Sequence, residues 1–318
     1  MNGAVVTGPT GTVGTALVKE LISSGYHVLL ILHRGSCRRR ALDTLLSDCC
    51  RIVETDLCDY GSLTENVRDF CDGDLEYEAF FHLAWMGTSG PYRNDLQLQT
   101  RNIEYALDAV ALAHAMGCKV FIGAGSQAEY GRMSSDLRSD TPVFPENGYG
   151  MAKLCAGQMT REYCHQLGMR HEWARILSVY GPNDGEGSLI STAVSRMLAG
   201  VKTSFTGGEQ IWDYLYSKDA ARALRLIAEK GRDGSVYVLG SGQARPLADY
   251  IRIIADKTGY QQPIGLGEIP YAASQVMYLK ADISELAADT GFQPEVSFEE
   301  GIQAVIDSVR AQKEIILN

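Results

Sequence analysis

The chain has 318 residues, of which 45% are hydrophobic and 21% charged, a composition typical of a soluble globular protein and not of a disordered one. Its net charge of −10 argues against sequence-independent binding of nucleic acid, which needs a positive field. No run approaches the roughly 20 apolar residues of a membrane-spanning helix. The first residues lack an export signal, and none of the 8 cysteines forms a C-x-x-C motif. We therefore expect a cytoplasmic protein with reduced thiols, no bound metal and no membrane contact.

The first half of the chain alternates short apolar runs with helical patterns. Continuous apolar strands separated by helices are typical of a parallel sheet that is covered on both faces. Right-handed crossovers then give a Rossmann-type, doubly wound α/β fold. The predicted strands are 4–6, 28–32, 51–53, 79–83 and 119–122, and the predicted helices are 12–24, one that begins near 62, and 96–116.

The pattern changes after residue 180, where turns rich in Gly and Thr begin. Before this point we predict a helix over 149–167 and a single sixth strand over 171–179. Beyond it we predict a helix at 189–198, a strand at 235–239 and a helix at 246–258. Residues 1–180 are thus expected to form the doubly wound domain, with a segment near 210–240 returning to it. Residues 181–318 would mainly bind substrate.

A glycine-rich turn joins the first predicted strand to the first helix. Glycines let the backbone turn tightly and let a pyrophosphate approach the helix N-terminus, where free N–H groups and the helix dipole favour anions. A strand before and a helix after are the context that a G-x-x-G-x-x-G motif requires. This turn predicts a dinucleotide site formed by Gly8, Thr10, Gly11, Thr12, Val13 and Gly14.

The residues after the second strand favour NADP(H). An NAD site usually places a carboxylate there to bind the ribose 2′-hydroxyl, and this chain has none. Arg34, Ser36 and Arg38 could instead bind a 2′-phosphate. NAD(H) stays possible, because these arginines could also be a solvated helix start.

The segment after the third strand predicts the adenine contact. Asp56, followed by Leu57, could accept a hydrogen bond from the adenine amino group. The alternative, an N-cap for the next helix, fits Asp59 better than Asp56.

The pattern Tyr-x-x-x-Lys occurs twice, at Tyr149/Lys153 and at Tyr214/Lys218. Tyr149 opens a predicted helix, where residues i and i+4 share a face. Tyr214 lies in an alternating, strand-like segment, which would place Lys218 elsewhere. We therefore predict Tyr149 and Lys153 as the catalytic pair.

The chemistry of such a pair explains the choice. A phenol has a pKa near 10, and an adjacent ammonium lowers that pKa so that the tyrosine can exchange a proton at neutral pH. The lysine can also bind the ribose of a nicotinamide. Ser126 follows the fifth strand, at the edge where such sheets build their sites, and its hydroxyl could hold the reacting oxygen.

Together these motifs resemble the extended short-chain dehydrogenase/reductase family, in its nucleotide-sugar epimerase/dehydratase branch. They occur in the family's order and span nearly the whole chain. The matching segments are Thr7–Gly14, Asp56–Asp59, His82–Ala84, Ser126–Gly131, Tyr149–Lys153, Arg175–Pro182 and Trp212–Ala221. The resemblance adds Leu83 and Ala84 to the cofactor contacts, and it implies a nucleotide-sugar substrate.

Departures from the family pattern narrow the reaction. Its 4,6-dehydratases carry Asp and Glu where this chain has Gln127 and Ala128, which disfavours elimination of water. Trp212 replaces an arginine that contacts the sugar diphosphate, and Trp85 is bulky where the family is small. The substrate contacts we predict are Trp85, Gln127, Tyr180, Asn183 and Trp212.

Three hypotheses follow from this resemblance. The first is an NADPH-dependent reductase of a 4-keto-6-deoxy nucleotide sugar, and the second is a nucleotide-sugar 4-epimerase with retained NAD. The third, a catalytically silent NADP-binding protein, would be marked by loss of Ser126, Tyr149 or Lys153, and all three are intact. The resemblance also implies a homodimer formed by helices 96–116 and 152–167, whose apolar residues extend beyond a single stripe. Those residues are Ala106, Ala109, Ala113, Leu154, Ala156 and Met159.

Overall fold

A computed structural model describes residues 3–45, 48–67, 75–185 and 187–317. Its strands are β1 (Gly3–Thr7), β2 (His27–Leu32), β3 (Cys50–Glu54), β4 (Tyr77–His82), β5 (Val120–Ser126), β6 (Arg170–Ile176), β7 (Ser178–Tyr180), β8 (Ile211–Tyr216), β9 (Val236–Leu239), β10 (Ala244–Pro246) and β11 (Tyr278–Leu279). Its helices are α1 (Thr12–Ser23), α2 (Tyr60–Glu65), α3 (Leu96–Ala115), α4 (Gly148–Gln166), α5 (Leu189–Leu198), α6 (Ser217–Lys230), α7 (Leu247–Thr258), α8 (Ser284–Thr290) and α9 (Phe298–Leu317).

The main sheet has seven parallel strands in the order β3-β2-β1-β4-β5-β6-β9. This order confirms the predicted Rossmann-type, doubly wound fold. Strands are added outward from β1 to β3 on one side and from β4 to β9 on the other, so the strand order reverses between β1 and β4. In such sheets ligands bind at this point, in the crevice beyond the carboxyl ends of the strands. The turn after β1 and the ends of β4 and β5 therefore form one edge of a site.

Alternating side chains of the central strands build two cores, one on each face of the sheet. Val6 of β1 packs in the core with α1 and α6, whereas Val5 packs in the core with α3. Leu30 and Leu29 of β2 divide between the same two cores. Burial of each aliphatic side chain stabilises the fold by about 1.5–3 kcal/mol. Because these strands are covered on both faces, their sequences are continuous apolar runs.

The predicted sixth strand over 171–179 is wrong in its extent, because the chain changes sheets at Leu177. β6 ends at Ile176, and β7 then pairs with β8 in a second, smaller sheet of order β10-β8-β11. The apolar run continues through the crossing, so its pattern does not reveal the break. The segment after β8 does return to the main sheet, since β9 pairs with β6. A domain division near residue 180 stays a prediction.

No helix within the described ranges is long and apolar enough to cross a membrane.

Candidate active site

The glycine-rich turn before α1 forms a cradle that larger residues would fill. Gly8 has φ +67°, and a Cβ there would lie 2.8 Å from the Ala84 nitrogen. A Cβ on Gly14 would collide with the Gly8 carbonyl. Gly11 is the N-cap of α1, and among the described residues no side chain caps its first turn. The open N–H groups of this turn fit the pyrophosphate of a dinucleotide.

Thr7 joins the glycine turn to the end of β4. Its hydroxyl accepts hydrogen bonds from the backbone nitrogens of Leu83 and Ala84, each at 3.1 Å, and shares a third with Nδ1 of His82. His82 is buried, and burial together with the Lys153 charge lowers its pKa to about 3. The imidazole is therefore neutral, and the predicted cofactor contacts Leu83 and Ala84 lie directly against the turn.

The loop after β2 carries arginines that pair with carboxylates of neighbouring segments. Arg34 Nη1 donates to Asp59 at 2.7 Å, and the Arg34 backbone nitrogen donates to Asp56 at 3.2 Å. Asp59 occupies the N-cap position of α2, as expected, but its carboxylate pairs with Arg34 and forms no capping hydrogen bond. Arg38 is exposed, whereas the Ser36 nitrogen bonds the His33 carbonyl. Leu57 packs against the core that contains α3. Asp56 lies beside the end of β2, where it accepts from the Arg34 backbone nitrogen.

The other predicted cofactor contacts lie around the start of α1. Val13 packs on the core that contains α1, and Thr10 is half-buried. The Thr12 hydroxyl donates to the Asn183 carbonyl at 3.2 Å. Asn183, which has φ +65°, therefore lies beside the cofactor turn, and this is where the structure places that predicted substrate contact.

Ser126 is held in place at the end of β5 by a reciprocal cap. Its hydroxyl accepts a hydrogen bond from the Ala128 nitrogen at 3.2 Å, and its own nitrogen donates to Glu129 at 2.7 Å. The Glu129 carboxylate is fully buried and also accepts from Trp173 Nε1 and Arg175 Nε. The Ser126 hydroxyl thus has a fixed position, as a group that orients a reacting oxygen requires.

Tyr149 and Lys153 lie on the first turns of α4, which confirms that the pair shares one helix. Asn147 caps this helix by accepting from the Gly150 nitrogen at 2.9 Å. Tyr149 is 8% exposed and forms a hydrogen bond with Ser126. Burial raises the pKa of Tyr149, while the Ser126 hydrogen bond and the Arg93 guanidinium oppose this rise. The structure therefore brings together the three predicted catalytic residues.

Lys153 is almost completely buried. Its ammonium donates to the Ala124 carbonyl at 2.7 Å and lies 3.7 Å from the centroid of the Trp85 ring. Burial lowers the pKa of Lys153 to about 7. Trp85 also meets the Tyr149 ring edge-on, with centroids 6.2 Å apart, and its Nε1 donates to Gln99 at 2.9 Å. Trp85, predicted as a substrate contact, thus packs against both members of the predicted catalytic pair.

The second Tyr-x-x-x-Lys segment has a different structure. Tyr214 lies on a strand, β8, and Lys218 lies apart from it on α6, so the predicted separation of the two residues is confirmed. The Tyr214 ring packs against Tyr180, Tyr250 and Phe298. This cluster gives Tyr214 the environment of a core residue.

Two predicted substrate contacts on the small sheet, Tyr180 and Trp212, form hydrogen bonds within the protein. Tyr180 is 1% exposed, and its hydroxyl donates to the Phe298 carbonyl at 3.3 Å. Because the aromatic cluster encloses it, the predicted substrate contact at Tyr180 is wrong. Trp212 is half-buried between two cores, and its Nε1 donates to Ser178 at 2.8 Å. The indole nitrogen is therefore already engaged within the protein.

A cavity of about 300 Å³ is lined in part by Arg93, the residue that stacks on Tyr149. Gln127, Arg93 and Arg132 line it, and Arg132 is paired with Glu146 at 2.8 Å. The buried Gln127 Oε1 has no hydrogen-bond partner within the described ranges, which suits a residue that faces a ligand. Throughout the described ranges, no group of three or more His, Cys, Asp or Glu side chains could hold a metal ion.

Sequence reasoning missed the residues that hold the catalytic groups. Glu129 lies three residues after Ser126, and that Ser-x-x-Glu spacing is a capping-box signal that could have identified it. Arg93 stacks on Tyr149 from a loop 56 residues earlier, with its Cζ 4.3 Å from the ring centroid. No local pattern marks Arg93, because the contact depends on the tertiary fold.

Comparison with known proteins agrees with this geometry. The NAD dependent epimerase/dehydratase family profile matches residues 4–240. A dTDP-glucose 4,6-dehydratase of Actinoplanes is 26% identical over 324 aligned positions, covering 97% of this chain and 98% of the relative.

Solved structures share the whole fold. The UDP-N-acetylglucosamine 4-epimerase of Methanobrevibacter ruminantium has a TM-score of 0.87 at 24% identity, covering 98% of this chain and 99% of that one. The UDP-glucuronic acid 4-epimerase of Bacillus cereus, solved with NAD, has a TM-score of 0.83 at 21% identity, with the same coverage of both chains. The chain belongs to the NAD-dependent epimerase/dehydratase family and is an enzyme of the extended short-chain dehydrogenase/reductase type.

Proposed function

We propose that this enzyme is an NADPH-dependent reductase of a nucleotide-linked 4-keto-6-deoxy sugar. A nicotinamide bound at the glycine turn would supply hydride to the keto carbon. The Ser126 hydroxyl would hold the keto oxygen, and Tyr149 would donate the proton to it as hydride arrives. Lys153 would bind the nicotinamide ribose and favour the ionised form of Tyr149 after the proton leaves.

The observation that carries the proposal is the absence of an acid for water elimination beside an intact Ser126, Tyr149 and Lys153. Gln127 and Ala128 stand where the dehydratases of the family carry Asp and Glu. The buried Glu129 cannot replace them, because Ser126, Trp173 and Arg175 already occupy its oxygens. Glu146, in the cavity, is paired with Arg132. Reduction needs only one proton donor, and Tyr149 provides it.

NADP(H) is the proposed cofactor because Arg34, Ser36 and Arg38 lie on the loop after β2. A 2′-phosphate would take the Arg34 guanidinium from Asp59. Arg34→Ala should therefore weaken NADPH binding about 10–100-fold, the value of a charged hydrogen bond, and leave NADH binding nearly unchanged. Arg39→Ala is the matched control, because Arg39 follows β2 as Arg34 does but pairs with Glu54 at the end of β3. Equal weakening of both cofactors in Arg34→Ala would contradict the preference.

A nucleotide-sugar 4-epimerase is the second candidate, and the carboxylates beside Arg34 favour it. Asp56 accepts from the Arg34 backbone nitrogen, so a carboxylate does lie at the end of β2, where NAD sites have one. An epimerase would use the same three residues but retain NAD between the oxidation and reduction steps.

One experiment separates the two reactions. The enzyme is first analysed by native mass spectrometry as purified, and then mixed with NADPH and a nucleotide-linked 4-keto-6-deoxyhexose. The reductase predicts no retained NAD, and oxidation of one NADPH for each sugar reduced. Retained NAD, with 4-epimers of a nucleotide hexose interconverting without added NADPH, would establish the epimerase and exclude the reductase.

We also propose a homodimer, although the structure changes which residues would form it. Ala106, Ala109, Ala113 and Ala156 are fully buried inside the subunit and cannot reach a partner. Met159, which was among the predicted residues, is exposed and forms an apolar stripe on α4 with Met151 and Cys155, and Leu96 is exposed on α3. Light scattering at micromolar concentration should give a dimer, and the double variant Met151→Glu/Met159→Glu a monomer. A monomeric wild type would contradict the proposal.

A further inference from the structure

Arg93 is the one guanidinium in contact with Tyr149 within the described residues. It lies in the single turn Gly90–Asn94 that precedes α3, and its Cζ is 4.3 Å from the centroid of the tyrosine ring. Two contacts fix this turn. Arg93 Nη1 donates to the Thr88 carbonyl at 3.1 Å, and the Gly148 nitrogen, at the start of α4, donates to Asn94 at 3.1 Å. The stacking is therefore built into the junction between the turn and the helix that carries Tyr149.

The charge of Arg93 is not neutralised by a carboxylate. Within the described ranges no acidic side chain forms an ion pair with it, whereas Arg132 in the same cavity is held by Glu146 at 2.8 Å. A guanidinium carries a full positive charge. Arg93 presents that charge to the face of the Tyr149 ring.

Lys153, which the tyrosine–lysine motif would assign to this task, is less well placed here. Its ammonium lies 5.9 Å from the centroid of the Tyr149 ring but only 3.7 Å from that of Trp85, and it is bonded to the Ala124 carbonyl. Because burial lowers the pKa of Lys153 to about 7, its charge varies with pH across the neutral range.

The remaining charged groups near Tyr149 do not supply a cation. Glu129, from the turn after β5, opposes ionisation of the phenol, but its carboxylate is paired with Arg175. His82, at the end of β4, is neutral. Ser126 contributes a hydrogen bond and no charge.

We propose that Arg93 is a positioning residue that supplies the fixed positive charge for the ionised form of Tyr149 and holds its ring against the edge of Trp85. The proposal deepens the proposed function, because it rests on Tyr149 as the group that exchanges the proton. Lys153 keeps the ribose contact and its own effect on Tyr149, to which Arg93 adds a second positive charge. Arg93 also lines the cavity that holds Gln127, so its charge lies on the side from which a sugar would approach.

The test measures ionisation of Tyr149 directly and needs no substrate, so its result is independent of whether the reaction is reduction or epimerisation. A fluorinated tyrosine, which ionises at lower pH than tyrosine, is incorporated at position 149 alone, and its single ¹⁹F signal is followed against pH. Arg93→Met should raise the midpoint by about 1–3 pH units, the effect of losing an opposite charge at this distance. Arg93→Lys, which keeps the charge, should recover most of the shift.

Arg132→Met is the matched control, because Arg132 lines the same cavity but is paired with Glu146. A larger midpoint shift in Arg93→Met than in Arg132→Met supports the proposal. An Arg93→Met shift that is no larger than the control, or an Arg93→Lys shift as large as that of Arg93→Met, overturns it. Arg93→Gln repeats the measurement with a hydrogen-bonding side chain, in case the methionine variant is poorly folded.

Discussion

The two Tyr-x-x-x-Lys segments are the same pattern in two different structures. At 149–153 the tyrosine and lysine lie one turn apart on α4, and both are buried beside Ser126. At 214–218 the tyrosine belongs to β8 and the lysine to α6. Only the first arrangement places a phenol, an ammonium and a hydroxyl around one point. The comparison teaches that the helix, and not the four-residue spacing, makes the pair chemically competent.

The residues before each tyrosine explain the difference. Asn147 accepts from the Gly150 nitrogen and so starts a helix that includes Tyr149. Before Tyr214, by contrast, the side chains of 211–216 alternate between buried and half-buried, as in a strand. The buried Asp213 then accepts from the backbone nitrogens of Ser241, Gly242 and Ala281 and fixes β8 in the small sheet.

Apart from the two tyrosines, the largest effect that would sharpen this comparison is expected from the two lysines. Lys153→Met removes the ammonium beside the catalytic tyrosine and the ribose contact. It should lower the turnover rate by about 10²–10³-fold and also weaken cofactor binding, as measured by steady-state kinetics and fluorescence titration. Lys218→Met, at an exposed position near the start of α6, is the control and should change neither. A rate loss in Lys218→Met equal to that in Lys153→Met would remove the distinction between the segments.

A glycine substitution tests the contact between α4 and the turn that carries Ser126. A Cβ on Gly150 would collide with the Ala128 carbonyl, so Gly150→Ala should push the helix away from the turn. We expect a loss of about 1–3 kcal/mol in the free energy of unfolding, together with a lower turnover rate. Gly61→Ala on α2 is the control, because a Cβ there has no neighbour within 4 Å. Full stability and rate in Gly150→Ala would show that this contact is not required.

The pH dependence of stability tests the burial of Lys153. The pKa of Lys153 is lowered to about 7 in the folded protein, so between pH 7 and its ordinary value near 10.5 the unfolded chain binds the extra proton. Stability should therefore rise with pH over this range, by at most about 1.4 kcal/mol per pH unit. Urea unfolding should show that Lys153→Met lacks this rise, while Lys218→Met retains it. An identical pH slope in wild type and Lys153→Met would contradict the burial argument.

Much of the fold was predictable because the central strands are buried on both faces. β1 and β2 read as continuous apolar runs and end within one residue of the predicted ends, whereas β5 continues to Ser126, four residues beyond its predicted end at 122. The break between β6 and β7 was not predictable, since the apolar residues Ile176, Leu177 and Val179 run across it and only the pairing partners of the two strands differ. Helices α6, α8 and α9 were not predicted, because their apolar stripes were read only as part of a returning segment or of the substrate region.

The site was predictable to the extent that local context determines it. Ser126, Tyr149 and Lys153 could be predicted to lie close together because each lies at a strand end or a helix start. Tyr180 was misassigned because a family motif gives the order of residues but not the direction in which a side chain points. Arg93 could not be found, since its partner is distant in the sequence and the turn that carries it has no pattern of its own.

The most direct test of the account compares Tyr149→Phe with Tyr214→Phe. Each keeps the aromatic ring and removes only the hydroxyl. Single-turnover reduction by NADPH should be about 10²–10⁴-fold slower in Tyr149→Phe, the usual contribution of a positioned proton donor, with cofactor affinity nearly unchanged. Tyr214→Phe should reduce the sugar at close to the wild-type rate. If Tyr214→Phe abolishes turnover while Tyr149→Phe retains it, the assignment of the catalytic helix is wrong.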